Sequence, residues 1–224
     1  MSIATVIIDN PVGEGNLLNP GVIAGIVEQL RAADADDEVT GVIITGAGTI
    51  FCNGLDIPAI NAGGDPVEFS AALADLLKLL PTLGLPVVAA INGNAVASGA
   101  AIVAACDYAV SLPDVLIGTR EVSVGIWPMV AQVPLIHRLG VRAAMENIGS
   151  GRPFTPERAR EVGLINEITD EAGLFPAAEA WLDLAARGAA IARIGRPAFY
   201  RLAGLPYADA LDASVELFAE MNRR

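Results

Sequence analysis

Residues 86–107 read PVVAAINGNAVASGAAIVAACD, and the change of texture within this stretch decides the fold. Val87 to Ile91 is a continuous β-branched and small apolar run, bounded by Pro86 and Asn92-Gly93, as expected of a fully buried strand. After Asn94 the chain turns to small residues (Ala95, Ala97, Ser98, Gly99, Ala100, Ala101), and Ile102 to Ala105 then continue as a packed helix. Small side chains let a ligand approach the backbone. A helix beginning near Ser98-Gly99 would aim its first unpaired N–H groups, and the positive end of its dipole, at whatever lies in front of it. That arrangement can stabilise an oxyanion. The same pattern also describes any tightly packed strand–turn–helix unit, so the stretch alone leaves both readings open. It is uncharged from Leu79 to Cys106, but Pro81, Gly84, Pro86 and the Asn92-Gly93-Asn94 turn interrupt it, which argues against a membrane helix.

Working outward toward the N-terminus, Thr5 to Ile8 reads as a short strand followed by an Asn10-Pro11 turn. Asn19 can cap a helix that starts at Pro20, with Val22, Ile23, Ile26, Val27 and Leu30 at helical spacing. The acidic run from Asp34 to Glu38 reads as a solvated connection, and Val42 to Thr45 as the next buried strand, giving a βαβ beginning. Gly46-Ala47-Gly48 then leads into IFCNGLDI (50–57). Glycines after a buried strand suggest a phosphate loop, but no GxGxxG or Lys-Ser/Thr completes a nucleotide fingerprint. Leu73, Leu76, Leu77 and Leu80 mark a helix ending at Pro81.

Beyond the central stretch, Tyr108–Val110 and Val115–Ile117 read as two short strands. Glu121 follows in GTREVSVGIWP. A carboxylate between a strand and a Gly-Ile-Trp-Pro turn, flanked by apolar residues, reads either as a partly desolvated acid with a raised pKa or as an ordinary surface glutamate. Pro128 to Leu139 reads as helical and carries the one histidine, His137, to which no role is assigned. Thr155-Pro156 caps a helix ending at Gly163, and Leu164–Ile168 is the strand after it. Leu174–Ala186 and Pro206–Met221 are two last amphipathic helices, set apart from the strand-rich part as a helical appendage for packing or assembly.

Composition bounds the function. The chain has 224 residues, 53% of them hydrophobic, ample for a large core, and no Ser- or Pro-rich linker divides it. Its formal charge of −12 argues against a general nucleic-acid surface, which needs a basic footprint. Cys52 and Cys106 read as buried free thiols in a reducing compartment. No metal-ligand spacing occurs, and the first residues, MSIATVIIDN, carry no leader pattern, so a cytoplasmic location is expected.

Three segments in this order, IFCNGLDI (50–57), INGNAVASGAAIVAACD (91–107) and IGTREVSVGIWP (117–128), together with TPERAREVGLINEI (155–168), resemble the enoyl-CoA hydratase/isomerase (crotonase) family. The resemblance is close over residues 1–170 and looser over 171–224. It implies an α/β fold, a crotonase-like spiral of ββα units in 1–170 with a C-terminal helical appendage in 171–224. It also implies a homotrimer or hexamer, and an acyl-CoA thioester as substrate, with coenzyme A part of that substrate and no separate cofactor. By match to its motifs, the backbone N–H groups of Leu55 and Ser98 form an oxyanion hole. Glu121 matches one of the two acids that hydratases of the family carry, while Ala101 stands where the other would be.

Other positions depart from the pattern. Trp127, Met129 and Ala101 would line the substrate pocket, with Trp127 and Met129 making it bulkier and more apolar near the reacting carbon. The chain ends at Arg224, before the basic tail that relatives place over CoA, and Asn16 stands where a basic residue is common. Asn53, Asp56, Arg196 and Arg201 are then the candidates for contacts to CoA. A single acid fits Δ3-Δ2 enoyl-CoA isomerisation. The alternatives are hydration of a 2-enoyl-CoA with Glu121 alone, and a catalytically weak crotonase-fold subunit that binds acyl-CoA or stiffens an assembly.

Overall fold

The computed structural model describes residues 2–221; Arg224, and with it the end of the chain, lies outside the described residues. Strand β1 (Ser2–Ile8) is followed by α1 (Pro20–Ala35), β2 (Val39–Gly46), α2 (Ile57–Asn61), α3 (Pro66–Leu79), β3 (Val87–Ile91), β4 (Ala95–Val96), α4 (Ser98–Ala105) and β5 (Tyr108–Ser111). Then come β6 (Ile117–Gly118), a 3-10 turn at Glu121–Val124, α5 (Gln132–Ser150), α6 (Pro156–Glu161), β7 (Glu167–Ile168), α7 (Leu174–Ala186), α8 (Ala189–Ala203) and α9 (Tyr207–Met221).

Five strands form one parallel sheet in the order β1-β2-β3-β5-β7. A second row of extended residues stands beside it. Cys52 bridges Ala95, Ala95 pairs with Ile117 as β4 meets β6, and Ile117 bridges Phe154. The chain therefore climbs by repeating one turn, from a strand of the sheet to a short strand of the second row to a helix, as β3-β4-α4 and then β5-β6-α5. This is the expected spiral of ββα units.

Both faces of the sheet are covered, which is why its central strand β3 is apolar throughout. Val42 and Ile44 of β2, with Val87, Ala89 and Ile91 of β3, face the larger core built with Ile23, Ile26 and Leu30 of α1 and Leu73 and Leu76 of α3. The alternate residues Ile43, Val88, Ala90 and Val110 face Leu174, Ala178 and Leu182 of α7. That i, i+4, i+8 stripe closes the second face. Burying such a side chain stabilises by about 1.5–3 kcal/mol, and Gly41 makes the approach possible, since a Cβ there would meet Leu182 Cδ2 at 2.7 Å.

The helix starts follow their caps. Asn19, Asp65 and Thr155 each accept a backbone N–H of the first turn, and a proline follows each. Several expectations shift. The helix expected from Pro128 begins at Gln132 and runs to Ser150, broken at Gly140 (φ 73°, ψ 164°). The strands expected at Val115–Ile117 and Leu164–Ile168 shrink to two residues each; Leu164 and Ile165 both donate their N–H to Ala159 O instead, wrapping the end of α6. Helix α8 went unread because Gly195 and Pro197 punctuate it. The acidic run is more than a solvated connection: Asp34 Oδ1 accepts the N–H groups of Gly84 and Leu85, and Arg193 donates to the carbonyls of Asp34, Asp36 and Val39.

No helix among the described residues is long and apolar enough to cross a membrane.

Candidate active site

At the carboxyl end of β3 the chain passes through β4 and enters α4 by way of Ala97, whose φ of 54° and ψ of −120° lie where a side-chain-bearing residue is strained. The conformation is pinned from both sides. Ala97 N–H donates to Gly118 O, and Ala97 O accepts from Ala100 and Ala101. The consequence falls on Ser98, whose N–H leads the helix with no backbone acceptor among the described residues. Gly99 lets α4 begin here, since a Cβ on it would lie 2.4 Å from Cys52 O.

The second donor arrives on the loop after β2. Gly54 has φ +102°, and a Cβ built on it would fall 2.7 Å from Ala97 Cβ and 3.6 Å from Ser98 N. Only glycine fits between these segments. Its neighbour Leu55 is held by the bonds on either side, as Leu18 N–H donates to Gly54 O and Asp56 N–H donates to Leu18 O, leaving Leu55 N–H without a backbone acceptor among the described residues. The loop is anchored from below by Asn16, buried at φ 52°, whose Nδ2 donates to Ala47 O and Ile50 O. Asn16 thus serves as a loop staple. Cys52 Sγ accepts Gly54 N–H at 3.5 Å, and burial pushes its thiol up to about 12, so it stays protonated.

At the far end of α4, Arg138 Nε donates to Ala104 O at 2.9 Å and its Nη2 to Cys106 O at 2.5 Å. A cation there complements the negative end of the helix whose positive end presents Ser98.

Glu121 opens the 3-10 turn after β6. Burial raises its pKa from the usual carboxylate value, opposed by its own N–H, by the Arg120 N–H and by the Arg120 charge. The Arg120 N–H donates to Glu121 Oε2 at 2.8 Å. Trp127 and Met129 stand on the loop that follows, 44% and 67% exposed, with Trp127 Nε1 donating to Gln132 Oε1. Ala101 is fully enclosed in α4, so a longer side chain there would have to displace packed atoms.

The four candidates for CoA contacts separate. Arg196 is turned into the protein, with Nε on Asp107 Oδ2 at 2.8 Å and Nη1 on Leu80 O and Leu83 O, while its buried Nη2 has no hydrogen-bond partner among the described residues. It therefore holds α8 to the core beside β5. Asp56 is likewise a cap, its Oδ1 accepting Ala59 N–H at the start of α2 and its Oδ2 facing Asn10 Nδ2. Asn53 is half-buried under the Gly15 loop, its N–H on Gly15 O. Arg201 is exposed on α8. Among the described residues no cluster of three or more His, Cys, Asp or Glu side chains could hold a metal.

Sequence reasoning overlooked Thr119 and Asn147, which are 1% exposed each and hydrogen-bonded to one another. The available signal was an asparagine between Ala144 and Ile148 on the buried stripe of α5, where a polar side chain needs partners.

The family model for enoyl-CoA hydratase/isomerase matches residues 1–223. The peroxisomal bifunctional enzyme of Cavia porcellus is 35% identical over 174 residues, 76% of this chain. The chain spans only 23% of that enzyme's length. A putative enoyl-CoA hydratase of Thermus thermophilus is 29% identical over 192 residues, covering 84% of this chain and 76% of that protein. Among solved structures, the enoyl-CoA hydratase of Mycobacterium smegmatis superposes with a TM-score of 0.90 at 25% identity, over 97% of this chain and 86% of that one.

Proposed function

Because the chain belongs to the enoyl-CoA hydratase/isomerase family, we propose that it polarises the carbonyl of an enoyl-CoA thioester with the N–H groups of Leu55 and Ser98 and moves one proton with Glu121, isomerising Δ3- to Δ2-enoyl-CoA. In this reading the Glu121 carboxylate takes a proton from the carbon α to the thioester carbonyl. The C–H electron pair moves toward the carbonyl, and the oxygen becomes an oxyanion facing the two donors. When the carbonyl re-forms, the double bond settles between the α and β carbons and Glu121 returns its proton to the γ carbon. Atoms and charge balance with one acid and no water. Donors of this kind are worth about 3 kcal/mol each in a water-excluded site.

The observation that carries the choice of isomerisation is the lone acid. Glu121 has a carboxyl whose proton affinity burial has raised toward the neutral range in which a general base works best, while α4 offers the enclosed Ala101 where a second acid would stand. One positioned carboxylate can carry a proton between two carbons; adding water across a double bond is easier with two.

Assembly belongs to the same proposal. Helix α9 has no buried residue, and its Tyr207, Leu211 and Val215, spaced four apart, are 82%, 52% and 70% exposed. We propose that this stripe packs in a homo-oligomer, trimer or hexamer. With Arg196 turned into the fold, Arg201 is the exposed cation among the candidates for contact with a CoA phosphate.

The deciding experiment is incubation with paired 3-enoyl- and 2-enoyl-CoA in heavy water, read by mass spectrometry. Isomerised product is expected, carrying little deuterium, because the proton that Glu121 takes is the one it returns. Hydrated product without isomerisation would replace this reading with hydration, and binding without turnover would leave a non-catalytic subunit.

A further inference from the structure

Asn147 uses all of its side-chain amide, tying the turn that precedes Glu121 to Arg152 beyond the end of α5. Its Oδ1 accepts from Thr119 N–H at 2.7 Å and from Thr119 Oγ1 at 3.0 Å, and its Nδ2 donates to Thr119 O at 2.8 Å and to Arg152 O at 2.9 Å. Both Asn147 and Thr119 are 1% exposed. The fit is close, since a Cβ on Gly118 would stand 2.9 Å from the Asn147 amide and one on Gly151 2.8 Å from Ser123 N. Helix α5 therefore ends directly against the segment that carries Glu121.

The consequence runs through one peptide plane. Thr119 C=O and Arg120 N–H belong to the same rigid unit and point in opposite directions across it. Asn147 Nδ2 grips the carbonyl on one side; the N–H on the other side donates to Glu121 Oε2 at 2.8 Å. The next peptide is fixed as well, because Arg120 O accepts from Ser123 N–H and Ser123 Oγ.

We infer that Asn147 is a positioning residue for Glu121, holding the Thr119–Arg120 peptide so that its N–H aims the Glu121 carboxyl. The inference rests on the proposed role of Glu121 and adds the device that orients it. Of the charged groups around this carboxyl, Arg120 acts on it directly. On α5, the helix packed against the turn, Arg138 donates to Ala104 O and Cys106 O and Glu146 pairs with Arg158, and His137 and Arg142 are the other titratable side chains of that helix.

The test follows the Glu121 carboxyl itself by NMR in the full chain with carbon-labelled glutamate, its resonance assigned by its disappearance in Glu121→Gln. In the wild type the Arg120 amide nitrogen should titrate with the same midpoint as the Glu121 carboxyl, a measurement that needs no variant to fold. Asn147→Ala and Asn147→Leu should each move that midpoint upward by about half a pH unit or more. They should lower kcat on a 3-enoyl-CoA by about tenfold to a hundredfold with KM within about twofold. Ile148→Ala, which loosens the adjacent buried packing of α5, should lower Tm and leave the midpoint in place. An Arg120 amide that does not follow Glu121, or folded Asn147 variants with the wild-type midpoint, would overturn the inference. So would an equal shift in Ile148→Ala, since loosened packing alone would then account for it. The midpoint reads the hold on the carboxyl regardless of turnover, so a shifted midpoint with full activity in Glu121→Gln would leave Asn147's hold standing and remove only the catalytic reading.

Discussion

Gly54 lies directly against Ala97, with space between them for a hydrogen and not for a methyl group: a Cβ on Gly54 would come within 2.7 Å of Ala97 Cβ. That contact brings the loop bearing Leu55 up to the start of the helix bearing Ser98, so the two proposed donors depend on one glycine and one strained alanine. Gly54→Ala should force the segments apart and also strain a backbone at φ +102°. Turnover of enoyl-CoA is expected to fall by about two orders of magnitude, with a smaller change in KM. Steady-state kinetics beside a thermal melt would check it, and a folded variant with near-normal kcat would separate the donors from this contact.

Ser98 offers a cleaner dissection, because the proposed group is its N–H and the side chain is buried. Ser98→Ala keeps the donor and should change kcat by less than about threefold. Ser98→Pro removes it at the first helical position, where proline is tolerated, and should cost about a hundredfold or more. If circular dichroism shows both folded and the two lose activity equally, the hydroxyl is the active group and the backbone assignment falls.

Arg196 should behave as a structural residue. Its side chain is 8% exposed and paired with an Asp107 side chain 13% exposed; that carboxylate also accepts Val87 N–H at 2.6 Å and Tyr200 Oη at 2.5 Å. Burial, with the Asp107 charge behind it, pushes the Tyr200 phenol up to about 12, so it remains a donor. Removing one partner of a buried pair costs about 3–5 kcal/mol, so Arg196→Met should lower Tm by roughly 10 °C and leave KM for acyl-CoA near wild type. A raised KM with an unchanged Tm would return Arg196 to the phosphate.

For assembly, sedimentation at micromolar concentration should show a species well above the 23.1 kDa chain. Leu211→Glu with Val215→Glu on α9 should shift it toward monomer, because each places a charge in the stripe proposed to be covered. A wild-type chain that sediments as a monomer would count against this use of α9.

How far the sequence carried the site depends on what each residue's signal was. The strand and helix around Ser98 were legible because apolar runs and small-residue texture are local, and the caps at Asn19 and Thr155 because capping chemistry is local too. The use of Arg196 was not. An arginine in an amphipathic helix looks the same whether it faces solvent or Asp107, and the 89 positions between the two close only when α8 docks. Asn16 and Asp34 were hidden for the same reason, since their partners are carbonyls and N–H groups of distant loops. Asn147 left a faint trace, a polar residue on a buried stripe, and its meaning emerges only when β6 lies beside the end of α5. Helix α8 was hidden by Pro197, whose local penalty is outweighed by the two arginine anchors just before it, Arg193 and Arg196.

Glu121 carries the most exposed prediction. Burial raises the pKa of its carboxyl in the folded protein above that of the unfolded chain, and two consequences of opposite sign follow. For activity, the carboxylate is the proposed base, so kcat/KM on a 3-enoyl-CoA should rise with pH through this raised pKa, with its acid limb above the ordinary ~4.3 of glutamate. For stability, the folded state holds the proton more tightly than the unfolded one. Its advantage from this group is complete below the unfolded pKa and is lost as pH rises through the folded one. Glu121→Gln, which cannot ionise, should therefore match the wild type in acid and equal or exceed its stability at neutral pH, while acyl-CoA binding is kept and turnover drops by about two to four orders of magnitude. Denaturant melts at two pH values and a pH–rate profile read both signs on one pair of proteins. A Glu121→Gln chain that turned over every enoyl-CoA at the wild-type rate would sink the catalytic assignment. One that was inactive but markedly less stable at neutral pH would show that the carboxylate is held by favourable contacts that outweigh its burial.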